Sequence, residues 1–232
     1  MRRPIALLSV ILILATIVYA KSKEEERLEN CATVMTEILN IPDGIPQDLL
    51  DKAECVVILP SVKKGAFIVG VRGGRGAAVC RTGEKMDGPW SPPAMYELTF
   101  GPSVGFQIGV EATDFVLLIM NPSGGKKLLQ SKFTLGADAS VAGGPKGRTA
   151  EAATDAQMHA EILTYSRTRG AFAGVSLEGS PLHQDAEANK KIYGKAVEAK
   201  DILFGGAVTV TPAGKGLVDL LNTKSPTNKS DK

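Results

Sequence analysis

Residues 53–81 limit the possible folds of this chain more than any other segment. They read AECVVILPSVKKGAFIVGVRGGRGAAVCR, three apolar runs joined by two short turns that combine glycine with lysine or arginine. Apolar runs of this length, rich in valine and isoleucine and bounded by turn residues, are typical of β-strands. The segment therefore predicts a three-stranded meander, with strands at 55–59, 66–71 and 77–81.

The two turns of this meander are basic. The first contains Lys63 and Lys64, and the second contains Arg72 and Arg75. Glycine lets the backbone approach a ligand closely, and backbone amides together with lysine and arginine can bind a phosphate or another acidic group. Since successive turns of a meander lie at opposite ends of its strands, we expect at most one of these turns to be the main binding site.

The chain has three cysteines, Cys31, Cys55 and Cys80. On the predicted meander, Cys55 and Cys80 belong to the first and third strands, which lie about 9–10 Å apart at roughly 4.8 Å per strand. A disulfide needs Cα atoms closer than about 7 Å, so we expect no bond between these two residues. We interpret the cysteines as small buried residues, and because their spacing is not that of a zinc site we predict no metal.

The N-terminus has the pattern of a secretory signal peptide over residues 1–20. Arg2 and Arg3 precede an apolar run at 5–18, and the sequence VYA ends at Ala20. A basic start, an apolar centre and small residues before the cleavage point are the three parts of such a peptide. The apolar run is short for a membrane-spanning helix, which needs about 20 residues, although an uncleaved anchor is the alternative. We therefore expect export, giving a periplasmic or envelope-associated protein after cleavage near Ala20.

The overall charge argues against nucleic acid as a partner. The chain has a formal net charge of +2, and cleavage would remove two arginines and leave it near zero. Binding to nucleic acid through bulk charge is therefore not expected. Aromatic residues make up only 5% of the chain, so base stacking is not expected either. The single tryptophan, Trp90, is either an interfacial anchor or a core residue under a loop.

Helices are predicted at both ends of the chain and strands between them. Further strands are expected at 95–100, 104–111, 115–120 and 133–141, with a hairpin at 162–167 and 171–178, and helices at 21–40, 184–193, 194–202 and 213–221. This order predicts an α+β fold, a curved antiparallel sheet or partly closed β-barrel with packed N- and C-terminal helices. Residues 21–223 would form the domain, and the polar segment 224–232 is predicted to be a disordered tail.

The sequence does not support an enzyme or a cofactor site. The two histidines, His159 and His183, lack the spacing of metal-binding histidine motifs. Neither a nucleophile elbow nor a phosphate-binding P-loop occurs. Asp138 and Asp155 could be an acid and base pair, but nothing in the sequence fixes their geometry. We predict no catalytic residue and no cofactor.

Several motifs occur in an order that matches a known family. They are AECVVILPSVKKG from Ala53, GGRG from Gly73, WSPPA from Trp90, GFQIG from Gly105, LGADAS from Leu135, GPKGR from Gly144, YSR from Tyr165 and GAFAGVSLEG from Gly170. With these motifs the chain resembles the SYLF domain over residues 27–221. SYLF domains occur in eukaryotic SH3 and FYVE proteins and in many exported bacterial proteins. The resemblance implies binding of phosphoinositides or other acidic lipids, and some members also bind and bundle actin.

The resemblance and the basic turns together predict non-catalytic binding of an anionic lipid at a membrane surface. The lipid would be phosphoinositide-like or an envelope phospholipid. Lys63, Lys64, Arg72 and Arg75 are the first candidate lipid contacts, followed by Arg148 in a second glycine-rich loop. Each lysine or arginine near an anionic membrane contributes about 1 kcal/mol, so a few suffice for reversible binding. The alternative is a protein-interaction or scaffold module of the cell envelope, whose partner is a protein instead of a lipid.

Overall fold

The computed structural model describes residues 21–41, 44–64, 73–99, 111–130, 132–145, 159–168, 171–174 and 177–230. The helices within these ranges are α1 (Lys23–Asn40), α2 (Gln47–Lys52), α3 (Pro122–Leu128), α4 (Ala186–Tyr193), α5 (Ala199–Leu203) and α6 (Pro212–Lys224). The strands are β1 (Cys55–Lys64), β2 (Gly73–Cys80), β3 (Ala94–Thr99), β4 (Glu111–Ile119), β5 (Lys132–Thr134), β6 (Val141–Gly143), β7 (Ile162–Thr168), β8 (Ala171–Gly174) and β9 (Pro181–Gln184). The expected signal peptide, the expected strand at 66–71, Arg72, Arg148 and Asp155 lie outside the described residues.

The strands form one strongly curled sheet. Its order is β5-β9-β3-β2-β1-β4-β7-β6, and β8 also pairs with β7. Every pairing is antiparallel except that between β6 and β7, which is parallel. With helices from both chain ends packed on this sheet, the predicted α+β class is confirmed.

Both faces of the central strands are buried. Val56 and Ile58 of β1 point into one core, together with Leu28 and Met35 of α1 and Leu217 of α6. The alternate residues of β1 point into a second core on the other face, which contains Val57, Leu59, Phe133, Ile202 and Leu203. Since successive side chains of a strand point to opposite faces, a strand with two buried faces reads as a continuous apolar run.

The first helix begins at a capping box. The Ser22 side chain accepts a hydrogen bond from the Glu25 amide, and the Glu25 carboxylate accepts one from the Ser22 amide at 2.8 Å. These contacts satisfy amides that have no partner within the helix. The predicted apolar face is confirmed, since Leu28, Cys31 and Ile38 are fully buried. None of the helices within the described ranges is long and apolar enough to cross a bilayer.

The prediction for the cysteines is wrong. The described parts of the 53–81 segment are β1 and β2, which pair directly with Cys55 opposite Cys80. These two residues form a disulfide, with their Cα atoms 4.0 Å apart. The prediction assumed that a further strand lies between the strands of Cys55 and Cys80. In the structure the strand that carries Cys80 is the direct neighbour of β1 in the sheet. Cys31 is a buried free thiol, as expected.

The C-terminal segment is packed where the sequence predicts disorder. Ser225 is fully buried, and residues 227–230 make hydrogen bonds to α2 and to the segment that follows β2. Polar composition predicts disorder because such a segment cannot bury apolar surface. Here the segment is instead held by buried charged groups of the domain.

Candidate interaction site at the Lys63 end of the sheet

The two basic turns lie at the same end of the sheet, and the prediction of opposite ends is wrong. Lys63 near the end of β1 pairs with Gly73 at the start of β2. Lys64 pairs with Glu111 at the start of β4. Gly73, which follows Arg72 in the sequence, thus lies at this same end. We call this region the Lys63 end.

Three strands, β1, β3 and β7, end at the Lys63 end. Besides β1 and β2, the end of β3 lies there because Thr99 pairs with Gly73. The end of β7 also lies there, because Arg167 pairs with Asp114 near the start of β4. Loops at the end of a rigid sheet commonly carry binding residues. The topology therefore gathers segments that are far apart in the sequence into one surface.

Arg75 is exposed, but its charge faces carboxylates. Its side chain is 55% exposed, and its Nε lies 3.1 Å from Oε2 of Glu97, the residue directly opposite on β3. The same nitrogen lies 3.7 Å from Oδ2 of Asp185. An exposed ion pair of this kind contributes at most about 1 kcal/mol. Arg75 therefore remains available to an incoming anion only in competition with these acids.

A β-bulge shapes β1 just before the lysines. The register between β1 and β4 shifts between Leu59 and Val62, and Ser61 within the bulge has a φ of 51°. Its amide donates a hydrogen bond to Oδ1 of Asp114 at 2.8 Å. A residue other than glycine in this conformation persists only when its surroundings hold it, and bulges and strain of this kind cluster at functional sites.

Arg167 supports this bulge through Asp114. Its Nε and Nη2 donate to Oδ2 of Asp114 at 3.1 and 2.7 Å, and its Nη1 pairs with Glu37 of α1. Burial lowers the pKa of Arg167, but the hydrogen bonds and charges of Asp114 and Glu37 outweigh it and raise the pKa overall. Sequence reasoning did not single out Arg167, although it lies in the YSR motif.

The candidate contacts therefore fall into two groups. Arg75 is described, and it is paired with acids. For Lys63 and Lys64 the structure gives the backbone pairing but not the side chains, while Arg72 and Arg148 lie outside the described residues. Within the described part of the chain, no group of three or more histidine, cysteine or acidic residues could hold a metal ion.

A second charged cluster lies at the opposite end of β1 and β2. Arg81, directly after β2, is fully buried and lies over the Trp90 ring at 4.4 Å from its centroid. Burial lowers the pKa of Arg81, and the nearby carboxylates of Asp51 and Glu54 oppose that effect. Trp90 is only 3% exposed, so of the two interpretations of this residue the core position is the one observed.

Comparison with known proteins places this fold in a family. A family model described as "Las17-binding protein actin regulator" (Ysc84) matches residues 100–224. The yeast Saccharomyces cerevisiae protein named LAS seventeen-binding protein 3 is 38% identical over 192 residues, which cover 82% of this chain and 40% of the yeast protein. The human SH3 domain-containing YSC84-like protein 1 is 40% identical over 168 residues, 72% of this chain and 48% of the human protein.

These matches show the family of the chain and how much of its relatives the chain covers. The chain spans less than half the length of these yeast and human relatives. The match of the family model covers more than half of this chain, and it confirms the family resemblance drawn from the motifs. The chain belongs to the Ysc84 family, the family of the SYLF domain.

Proposed function

We propose that this chain is a non-catalytic protein-binding module that contacts its partner through the Lys63 end. The observation that carries the proposal is family membership, since the family is described as an actin regulator and the yeast relative is named for binding Las17. This favours the protein-interaction alternative over the lipid-binding function predicted first from the sequence.

The geometry of the Lys63 end supports this location for the partner. The ends of β1, β3 and β7 all lie at this end of the sheet, and the salt bridge between Arg167 and Asp114 holds the bulge that precedes Lys63. A preformed surface lowers the entropy lost on binding. The lysines and Arg72 suit an acidic surface on the partner, because complementary charge steers association.

Co-sedimentation with purified actin filaments tests the proposal, since the family description names actin regulation. We expect the wild-type chain to pellet with filaments and the variant Lys63→Glu/Lys64→Glu to lose most of this binding. The matched control is Lys23→Glu/Lys190→Glu, which changes two exposed lysines of α1 and α4 by the same charge. Wild-type chain that stays in the supernatant, or equal loss in both variants, would contradict the proposal.

Binding of an anionic surface is the second candidate. The observation that favours it is the pairing of Lys63 in the first basic turn with Gly73 in the second, which puts the described parts of both turns at one end of the sheet. Vesicles with and without anionic phospholipid, sedimented with the same three proteins at low salt, test this candidate. Preference for anionic vesicles that is lost only in Lys63→Glu/Lys64→Glu would support it, and equal binding to neutral vesicles would exclude it.

We also propose that the chain is exported. The support is the signal-peptide pattern of residues 1–20 and the disulfide between Cys55 and Cys80, because disulfides form and persist mainly in oxidising compartments.

A further inference from the structure

Residues 225–230 lie across the end of the sheet opposite the Lys63 end. Their backbone is recognised at three points. Nε1 of Trp90 donates to the carbonyl of Ser225 at 2.9 Å, and Nη2 of Arg81 donates to the carbonyl of Thr227 at 3.1 Å. The amide of Lys229 donates to the carbonyl of Asp51 at 2.8 Å. We call the surface that makes these contacts the C-terminal groove.

The C-terminal groove also recognises three side chains of the segment. Nδ2 of Asn228 donates to Oε2 of Glu54 at 3.0 Å, and Nζ of Lys229 lies 2.8 Å from Oδ2 of Asp51. Oγ of Ser230 donates to Oε1 of Glu54 at 3.1 Å. Two buried carboxylates thus select an amide, an ammonium and a hydroxyl in consecutive order. Paired donors and acceptors at fixed spacing give sequence specificity in peptide recognition.

The walls of the C-terminal groove are held by contacts that do not involve residues 225–230. Nε of Arg81 donates to the carbonyl of Ala53 at 3.2 Å, and its guanidinium stacks on Trp90. Asp51 accepts from Nε2 of Gln47 at 2.8 Å. The amide of Trp90 donates to Oδ1 of Asn222 at 3.1 Å. None of these contacts is made by residues 226–230, so we expect the groove to stay preformed for another chain when those residues leave it.

The segment leaves part of the groove unused. Nη1 of Arg81 is buried and has no hydrogen-bond partner among the described residues. Beside Ser230 lies a cavity of about 380 Å³, which Met86, Met120 and Pro122 line with apolar groups and which Glu84, Lys85 and Lys126 also border. An unpaired buried donor and a vacant apolar volume are what a larger ligand would use.

The contacts of residues 226–230 are suited to exchange. These residues are half-buried or exposed, and their contacts with the groove are hydrogen bonds and one ion pair. Polar groups that separate regain their bonds to water, so even a hydrogen bond to a charged group contributes only about 1.5–3 kcal/mol net. Ser225, which is fully buried, marks the fixed start of the segment.

We propose that the C-terminal groove is a recognition site for an extended peptide that carries asparagine, lysine and serine in succession, and that residues 226–230 occupy it within the same chain. The site is separate from the Lys63 end and does not depend on the function proposed for that surface. A partner peptide of this pattern displaces the segment, pairs with Asp51 and Glu54, and extends into the apolar cavity.

Fluorescence of the single tryptophan tests this proposal in the full chain, because Trp90 stacks on Arg81, whose Nη2 donates to the carbonyl of Thr227 within the displaced residues. The variant Asn228→Ala/Lys229→Ala removes two of the three side-chain contacts to the buried carboxylates and leaves that of Ser230. We expect its Trp90 emission to shift to the red and its quenching by acrylamide to rise several-fold. Adding the synthetic peptide Lys-Ser-Pro-Thr-Asn-Lys-Ser should return quenching to the wild-type level. The same peptide with alanine in place of asparagine and the second lysine should have no effect.

Thr227→Ala is the matched control, because Thr227 contributes its carbonyl oxygen to the groove and its side chain is exposed. It should behave like the wild type. If the double variant loses its far-UV circular dichroism, the same measurements are made on Lys229→Met. In that variant Asp51 still accepts a hydrogen bond from Gln47. Unchanged quenching in a folded variant, or no protection by millimolar peptide, would overturn the proposal. Protection that rises with protein concentration alone would assign the groove to a second copy and also overturn it.

Discussion

Arg81 contacts residues from three separate parts of the sequence, although it directly follows β2. Its guanidinium contacts the carbonyl of Ala53, the ring of Trp90 and the hydroxyl of Ser225, while Asp51 and Glu54 supply the nearby negative charge. A fully buried cation is rare unless other groups compensate it. The sequence shows only an arginine after an apolar strand, so its burial depends on tertiary contacts that are distant in the sequence.

Replacing Arg81 with methionine should strongly destabilise the fold. Arg81→Met removes the buried cation and leaves nearby acids and the Ser225 hydroxyl with less compensation, a change that costs about 3–5 kcal/mol in comparable sites. Arg75→Met, which removes an exposed arginine of β2, should cost less than about 1 kcal/mol. Urea unfolding at neutral pH measures both free energies. Equal losses in the two variants would contradict the burial assigned to Arg81.

Gly76 is required by close packing within the sheet. A Cβ atom at this position would lie 1.8 Å from the carbonyl oxygen of Ile58. Gly76→Ala should therefore destabilise the protein by about 1–3 kcal/mol, the usual range for overpacking. Gly216 in α6 is the control, because a Cβ there meets only Ala32 at 3.7 Å. Gly216→Ala should stabilise the fold by about 0.5–1 kcal/mol, so thermal unfolding should move in opposite directions for the two variants.

At the scale of the helices and strands, the local sequence pattern predicted where the elements lie in the sequence better than it predicted which strands pair. The apolar runs predicted the positions of β3 and much of β4, and the amphipathic face predicted α1. Strand pairing was harder to predict from the sequence, because an apolar run does not indicate which strand lies beside it. This is why the sequence placed Cys80 too far from Cys55, and Lys63 at the wrong end relative to Arg75. The acids that face Arg75 come from β3 and from the N-cap of α4, so its charge could not be assessed from neighbours in the sequence.

The disulfide should stabilise the pairing of β1 with β2. Denatured protein without reductant should titrate one thiol per chain, from Cys31, and reduced protein should titrate all three. Cys55→Ala/Cys80→Ala should lower the free energy of unfolding by about 2–4 kcal/mol, because the unfolded chain loses a constraint. Three thiols in unreduced protein exported to an oxidising compartment would contradict the bond.

Glu161 joins α3 to the start of β7 and should make stability depend on pH. Burial raises its pKa, but the bond from Lys127 at 2.7 Å, the Ser123 side chain and the Ser140 amide outweigh burial and lower the pKa from 4.5 to about 2. A lowered pKa contributes stability above the unfolded value of 4.5, and this contribution is lost as the pH falls through about 2.

Glu161→Gln should therefore be less stable than the wild type at pH 7 by about 1.5–3 kcal/mol, the range for hydrogen bonds to charged groups. The difference should shrink as the pH falls from about 4.5 to about 2. Glu187→Gln, on the exposed side of α4, is the control and should follow the wild type at every pH. Urea unfolding across this range measures the difference, and a gap independent of pH would exclude the assigned role of Glu161.

At the scale of the whole molecule, the class of the fold followed from the order of helices and strands, whereas the parallel strand pair and the packing of the C-terminal segment did not. The α+β class is confirmed, but one pair of strands is parallel and the C-terminal segment is packed. Neither feature has a local signal, since residues 224–230 are polar and β6 has three residues.

Export should remove the first 20 residues. When the full chain is produced in a Gram-negative host, we expect the periplasmic protein to begin at Lys21, because the cleavage pattern ends at Ala20. Intact mass spectrometry of the periplasmic and membrane fractions measures this. Ala20→Arg, which blocks the small position before the cut, is the control and should retain the whole segment. A wild-type chain that keeps Met1 in the membrane fraction would favour the anchor.

The burial of both faces of β1 has a consequence for how freely its sequence can change. From Cys55 to Leu59 every side chain has an exposure of 0%, and neighbouring positions alternate between two separate cores. A strand with one solvent-exposed face tolerates substitution at every second residue, whereas residues 55–59 include no exposed position. A substitution at any of these five positions therefore changes the packing of one of the two cores and requires a compensating substitution in that core. We expect sequence variation in β1 to be confined to the ends of the strand.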